Sequence, residues 1–272
     1  MKNYRHTTFT RDNLPLSTYV AAAGSLPIVF QHGLCGDAAQ PADVIPSDAV
    51  LKHYVMECRG HGRSPIGPAD DISIAKFTDD LAAFMAAEHL PPCPVGGISM
   101  GAAIALRLAV IHPERVSHLV LARPAWTTES APENMAPNAE VGRLLSLRDP
   151  QSACNAFVET ATAKKLRRDA PENLNSLLRF FDRPAPSETA ALLTRISSDG
   201  PGVSEIQIAS LSLPVLILGT ADDAIHPMSH AQFLASAIPG AHMKQITSKT
   251  ADPEAHRAEF QAELSAFLKD YS

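Results

Sequence analysis

Ser99 stands between two glycines in the run Gly97-Ile98-Ser99-Met100-Gly101. A serine hydroxyl becomes a nucleophile toward an acyl carbon when a base takes its proton, an acid orients that base, and two N–H donors receive the oxyanion. The run follows a strand-like segment, Cys93-Pro94-Val95-Gly96, and precedes a strongly helical one, Ala102–Val110. In that context G-x-S-x-G predicts a strand–turn–helix elbow that lifts the serine clear of a sheet. The glycines let strand and helix approach closely, and the helix N-terminus favours developing negative charge.

The remaining parts are sought in the loops behind other strands. One oxyanion donor is expected to be the amide of Met100, the residue after the nucleophile. The second candidate is the amide of Leu34, in His32-Gly33-Leu34-Cys35-Gly36, which follows the apolar run 27–31. The acid is sought in Gly219-Thr220-Ala221-Asp222-Asp223-Ala224-Ile225-His226-Pro227. Asp222 and Asp223 both qualify, and Asp223 is the first choice.

These loops must be held by regular elements. Strands are predicted at 27–31, 49–56, 93–96, 116–122, 215–219 and 243–247, several of them continuous Val/Ile/Leu runs. Helices are predicted at 73–89, after the elbow, and at 253–269, where Phe260, Leu264, Phe267 and Leu268 face inward. Such alternation makes an α/β fold with a mostly parallel sheet covered on both faces. Residues 4–22 could add an antiparallel hairpin at one edge. Between Pro124 and Pro214 the alternation stops, and prolines separate short helices at 138–148, 150–164, 171–181 and 186–197. The expected organisation is a core of residues 1–123 and 214–272 with a helical cap over 124–213.

The ordered set His32–Gly36, Arg59-Gly60-His61-Gly62-Arg63-Ser64, Gly97–Gly101 with His112-Pro113-Glu114-Arg115-Val116, and Gly219–Pro227 resembles the α/β-hydrolase superfamily, in particular its esterase and enol-lactonase-like members. The resemblance covers nearly the whole chain outside the cap. It implies the order Ser–Asp–His, a cap between the sixth and seventh strands, and no cofactor. The chain departs from the family at the histidine. Members usually carry Gly-His behind the last strand, where this chain has Ser248-Lys249-Thr250-Ala251-Asp252. Of His226, His230, His242 and His256, His256 alone follows the last strand and is the expected base. That requires residues 248–255 to curl over the sheet edge. His226, next to the acid in sequence, reads as a poor base. Arg123, Trp126 and His32 are candidate pocket residues; Arg123 could pair with a substrate carboxylate or anchor the cap.

A net charge of −6, with no basic run beyond Lys164-Lys165-Leu166-Arg167-Arg168, argues against a nucleic-acid partner. No apolar stretch reaches the roughly 18 residues that span a bilayer, and Met1–His6 leads into polar residues rather than an apolar signal core. Cys35, Cys58, Cys93 and Cys154 lack metal-site spacing; they read as reduced thiols of a cytoplasmic protein without a metal. The expected activity is that of a serine hydrolase on an ester, thioester or lactone of a small molecule. The rivals are a non-hydrolytic binding protein on the same scaffold and a carbon–carbon bond hydrolase. Substrate identity and oligomeric state stay open.

Overall fold

Alternate residues of the central strands enter two different cores, and this period of two organises the molecule. Val29, Val95, Leu119, Leu121 and Ile217 face one core, while Ile28, Phe30, Val120, Leu216 and Leu218 face the other. The computed structural model describes residues 3–46 and 50–271. Residue 49, included in the second predicted strand, and Met1 and Lys2 lie outside the described residues.

The chain opens with the hairpin β1 (Tyr4–Arg11) and β2 (Leu14–Ala21), turned by Asp12 and Asn13, both at positive φ. Two left-handed residues give the twist that matches antiparallel strands. Then follow β3 (Leu26–Gln31), α1 (Ala39–Val44), β4 (Leu51–Met56), α2 (Ile74–Ala87), β5 (Cys93–Ile98), α3 (Met100–Ile111) and β6 (Val116–Ala122). The next stretch is helical: α4 (Ala136–Leu147), α5 (Pro150–Val158), α6 (Ala161–Asp169), α7 (Pro171–Leu178), α8 (Pro186–Ser197) and α9 (Glu205–Ala209). The sheet resumes with β7 (Val215–Thr220), α10 (Met228–Ala237), β8 (His242–Ile246) and α11 (Pro253–Phe267).

The strands lie in the order β1-β2-β4-β3-β5-β6-β7-β8. β1 and β2 are antiparallel to their neighbours and the other pairings are parallel. This is the sheet that the resemblance implies, with helices inserted after the sixth strand. α2 and α3 bury Phe77, Leu81, Phe84, Ile104 and Leu108 in the first core. α11 covers the opposite face with Phe260 and Leu264, the Phe260 ring lying edge-on to Phe30.

The prolines of the inserted segment start helices more than they break them. Pro150, Pro171 and Pro186 are first residues of α5, α7 and α8, where a missing N–H costs nothing and φ is already helical. The predicted helix 150–164 is divided because Thr160 caps α6, accepting a hydrogen bond from the amide of Ala163.

Candidate active site

The elbow is a matter of clearance. A Cβ on Gly97 would lie 2.2 Å from the Gly101 carbonyl carbon, and one on Gly101 would lie 2.4 Å from the Gln31 carbonyl oxygen. Glycine alone fits both places. Ser99, between them, is held at φ 58° and ψ −112°, a conformation that costs about 1–3 kcal/mol for a residue with a side chain. Its N–H is tied to the Ala122 carbonyl at 3.0 Å. Met100 is the first residue of α3, so its N–H has no partner within the helix.

Beside the elbow runs the loop behind β3. A Cβ on Gly33 would meet the Ser99 Cβ at 3.4 Å, so this backbone lies against Ser99. Gln40 of α1 accepts from the Gly33 amide at 2.6 Å, and Arg183, between α7 and α8, donates to the Cys35 carbonyl. His32 is fully buried: the Cys58 amide donates to its Nε2, so its Nδ1–H donates to the Gly33 carbonyl. Burial pushes its pKa down to about 4. His32 therefore fixes the loop.

Behind β7 the chain turns sharply through Asp222, which has φ 55° and an exposed side chain. Asp223 points inward instead. Its carboxylate accepts from Arg123 Nη2 at 2.6 Å, Asn173 Nδ2 at 2.9 Å, and the amides of Ile225 and His226 at 3.2 and 3.0 Å. The same turn folds the His226 ring back over its own acid, with Nδ1 at 2.9 and 3.0 Å from the two carboxylate oxygens. His226 Nε2 lies 2.8 Å from Ser99 Oγ. The Arg123 Nη2 to His226 Nδ1 approach of 3.0 Å joins two donors that share one carboxylate. Facing Asp223, Nδ1 must carry the proton, which leaves Nε2 to accept from Ser99.

Electrostatics follow from this packing. Burial would raise the Asp223 pKa, but the His226 ring and the Arg123 guanidinium overcome it and hold the carboxyl well below the usual range. Burial lowers the His226 pKa; Asp223 opposes that and Arg123 reinforces it. The ring is neutral near neutral pH and ready to accept a proton.

His256 does not take this position. Residues 248–252 make a tight turn, closed by the Ala251 and Asp252 amides on the Ser248 carbonyl, and Asp252 then caps α11 by accepting from the amides of Glu254 and Ala255. His256 is 5% exposed, donates to the Thr247 carbonyl at 2.8 Å, and packs on Phe260. It staples the end of β8 to α11. Trp126, also buried, donates to the Asp199 carbonyl.

A cavity of about 170 Å³ opens onto Ser99 and His226, with Leu34, Asn138, Leu177 and Phe180 among its walls. A larger cleft of about 580 Å³ adjoins it, lined by Arg179, Asp222 and Lys249 among others; Arg123 lines both. His32 and Trp126 line neither. The Arg123 guanidinium makes neither of the contacts weighed from the sequence: it pairs with Asp223. Gln40, Asn138, Asn173 and Arg183 carry no motif in the sequence, and their spacing gives no signal. The spacing Asp-x-x-His at 223–226 could have been read as a turn that returns the ring to the acid. Among the described residues, no group of three or more His, Cys, Asp or Glu is placed to hold a metal ion.

Residues 27–251 match the model of the α/β-hydrolase fold family. The chain is 30% identical over 232 residues to the candidate carbamate hydrolase RutD of Klebsiella pneumoniae (strain 342), covering 82% of this chain and 83% of that one. It is 28% identical over 202 residues to the pimeloyl-(acyl-carrier protein) methyl ester esterase of Aromatoleum aromaticum, covering 69% and 75%. Among solved structures it resembles the enol-lactonase from Burkholderia xenovorans LB400, with a TM-score of 0.73, 20% identity and coverage of 97% and 100%. That likeness speaks for the fold alone.

Proposed function

Because the chain belongs to the α/β-hydrolase fold family, we propose that this hydrolase is a serine enzyme that cleaves an ester, thioester or lactone of a small molecule. The observation that carries the reading is the continuous path Asp223–His226–Ser99, with Nε2 2.8 Å from Oγ and Nδ1 2.9 Å from the carboxylate. Ser99 is the nucleophile, His226 the base and Asp223 the acid that orients it. This reading gives the role of base to His226 instead of His256, and the approach of Nε2 to Oγ supports it. Ser99 Oγ attacks the acyl carbon as its proton passes to His226 Nε2. The amides of Met100 and Leu34 receive the oxyanion. As the tetrahedral intermediate collapses, His226 returns the proton to the leaving oxygen or sulfur, and water then releases the acyl group by the same steps in reverse roles. Asp223, held ionised, stabilises the transient imidazolium. The small cavity at Ser99 supports a small acyl or alcohol group. Residues 124–213 act as the cap of a core made by 1–123 and 214–272. The named relatives' carbamate and methyl ester chemistry is compatible with this site. The free cysteines support a cytoplasmic location.

The test is labelling with a fluorophosphonate. Ser99 should react rapidly and stoichiometrically, and Ser99→Ala should abolish both labelling and hydrolysis of p-nitrophenyl esters, by about 10³-fold or more. A folded protein whose Ser99 does not label would contradict the proposal.

A further inference from the structure

Arg123 leaves β6 at φ 46°, a left-handed conformation that a residue with a long side chain seldom keeps outside a working site. Its guanidinium meets Asp223 along one edge only: Nε and Nη2 donate to the same oxygen, Oδ2, at 3.1 and 2.6 Å. A guanidinium is a rigid planar fork of five N–H donors, and this contact leaves both donors of Nη1 and the second of Nη2. Nη1 has no hydrogen-bond partner among the described residues and retains accessible surface. The Arg123 side chain is 24% exposed and lines both the cavity at Ser99 and the larger cleft beside it. Its outer edge therefore opens where the two meet.

Resting on the serine-hydrolase reading, we infer that the substrate carries a free carboxylate, which docks on the outer edge of Arg123 while Ser99 attacks the ester, thioester or lactone group. One guanidinium then holds the catalytic acid on its inner edge and the substrate on its outer one, and Arg123 is a specificity-determining residue. Two parallel N–H groups in one plane match the two oxygens of a carboxylate, and such charge-assisted pairs are strong and selective. The spacing suits a small molecule. One imidazole ring separates Arg123 Nη2 from Ser99 Oγ, through approaches of 3.0 and 2.8 Å, and a chain of about four to six bonds spans that interval. Of the other charged groups lining the cleft, Lys249 leans on Asp43 and Asp169 on Arg168, while Arg179 makes no ion pair among the described residues. Glu172 and Asp222 are exposed, so water and salt weaken their repulsion of an anion.

The experiment uses two pairs of esters in which a carboxylate replaces an isopropyl group of the same shape, first on the acyl side and then on the alcohol side. They are p-nitrophenyl hydrogen adipate against p-nitrophenyl 6-methylheptanoate, and the butanoyl ester of 4-hydroxybutanoate against 4-methylpentyl butanoate. kcat/KM is measured at a mildly alkaline pH, where His226 is neutral, for the parent, for Arg123→Gln, and for Arg123→Lys should the first variant not fold. Fluorophosphonate labelling of Ser99 checks the catalytic site in each. The parent should favour the carboxylated member of at least one pair by about tenfold or more. The variant should lose most of that preference, whatever its loss on the neutral esters, because a mere counter-ion of Asp223 would slow both members alike. If a folded variant no longer labels, the affinity of p-nitrophenyl hydrogen adipate for Ser99→Ala, with and without Arg123→Gln, replaces kcat/KM and should fall by about tenfold. Normal labelling of the parent without preference, or without turnover of either pair, overturns this inference alone, as does a preference or affinity that survives the substitution. An unlabelled Ser99 in the folded parent, with no turnover, overturns the hydrolase reading, and this inference with it.

Discussion

Asp223 and His226 stand three residues apart, so carboxylate and imidazole are carried on a single turn. Arg123 is the third member of that group, at 2.6 Å from the acid. Its charge helps to hold Asp223 ionised and also disfavours the imidazolium. His226, with its pKa lowered by burial, should stay neutral below the ordinary histidine range, so kcat/KM should hold as pH falls past about 6.5 and decline only in more acid solution. His230 on α10 also faces this ring electrostatically, with Asp223 and Arg123. Removing the cation favours the protonated ring, so Arg123→Gln should move the acid limb of the pH–kcat/KM profile upward. An unmoved limb, or one moved downward, would contradict the assigned coupling. Asp223→Asn should cost about 10³–10⁴-fold in kcat by losing the correct tautomer. The elbow around Ser99 was legible because only glycine clears the neighbours on either side of it, and that need is written in the sequence. The approach of His226 to Ser99 was not, because a histidine next to Asp223 in sequence reads as a poor base. The turn through Asp222 at φ 55° converts that proximity into contact, and nothing in the residue types announces the angle.

Three loops and one helix position the chemistry. The elbow and the loops behind β3 and β7 converge at the carboxyl edge of the sheet. Asn173 of α7 then clasps the last of them, donating to Asp223 and accepting from the Ala224 amide. Asn173→Leu should leave Asp223 less fixed and lower kcat by about 10- to 100-fold, with the ester KM changing less; an unchanged kcat would show that the turn orients itself. Gly101→Ala places a Cβ against the Gln31 and His32 carbonyls. It should lower stability by about 1–3 kcal/mol or more in chemical denaturation, and a neutral substitution would contradict the close approach. The strands were legible because Val/Ile/Leu runs at this spacing leave few alternatives. The helices of the inserted segment were legible as helices but not in their contacts. α8 lies at 186–197 as predicted, whereas the short α1 and α9 give too little periodicity to be read.

At the scale of the molecule, the helices between β6 and β7 are attached to the core by side chains that reach working loops. Asn134 donates to the carbonyls of Ala125 and Ile225, Arg183 donates to the Cys35 carbonyl, and Asp199 accepts from the first amide of α2. No strand pairing of the sheet passes through this segment, so it should open more readily than the central sheet. Amide hydrogen exchange should be faster across 130–200 than across 93–122, and equal protection would count against a cap that admits substrate. The central claim concerns which histidine serves Ser99, and kcat/KM on a p-nitrophenyl ester for two variants of verified fold decides it. His226→Ala should lose about 10³-fold or more, as Ser99→Ala does, because members of one catalytic unit are not additive. His256→Ala should stay within a few-fold of the parent. The opposite pattern, an active His226→Ala beside an inactive, folded His256→Ala, would contradict the account.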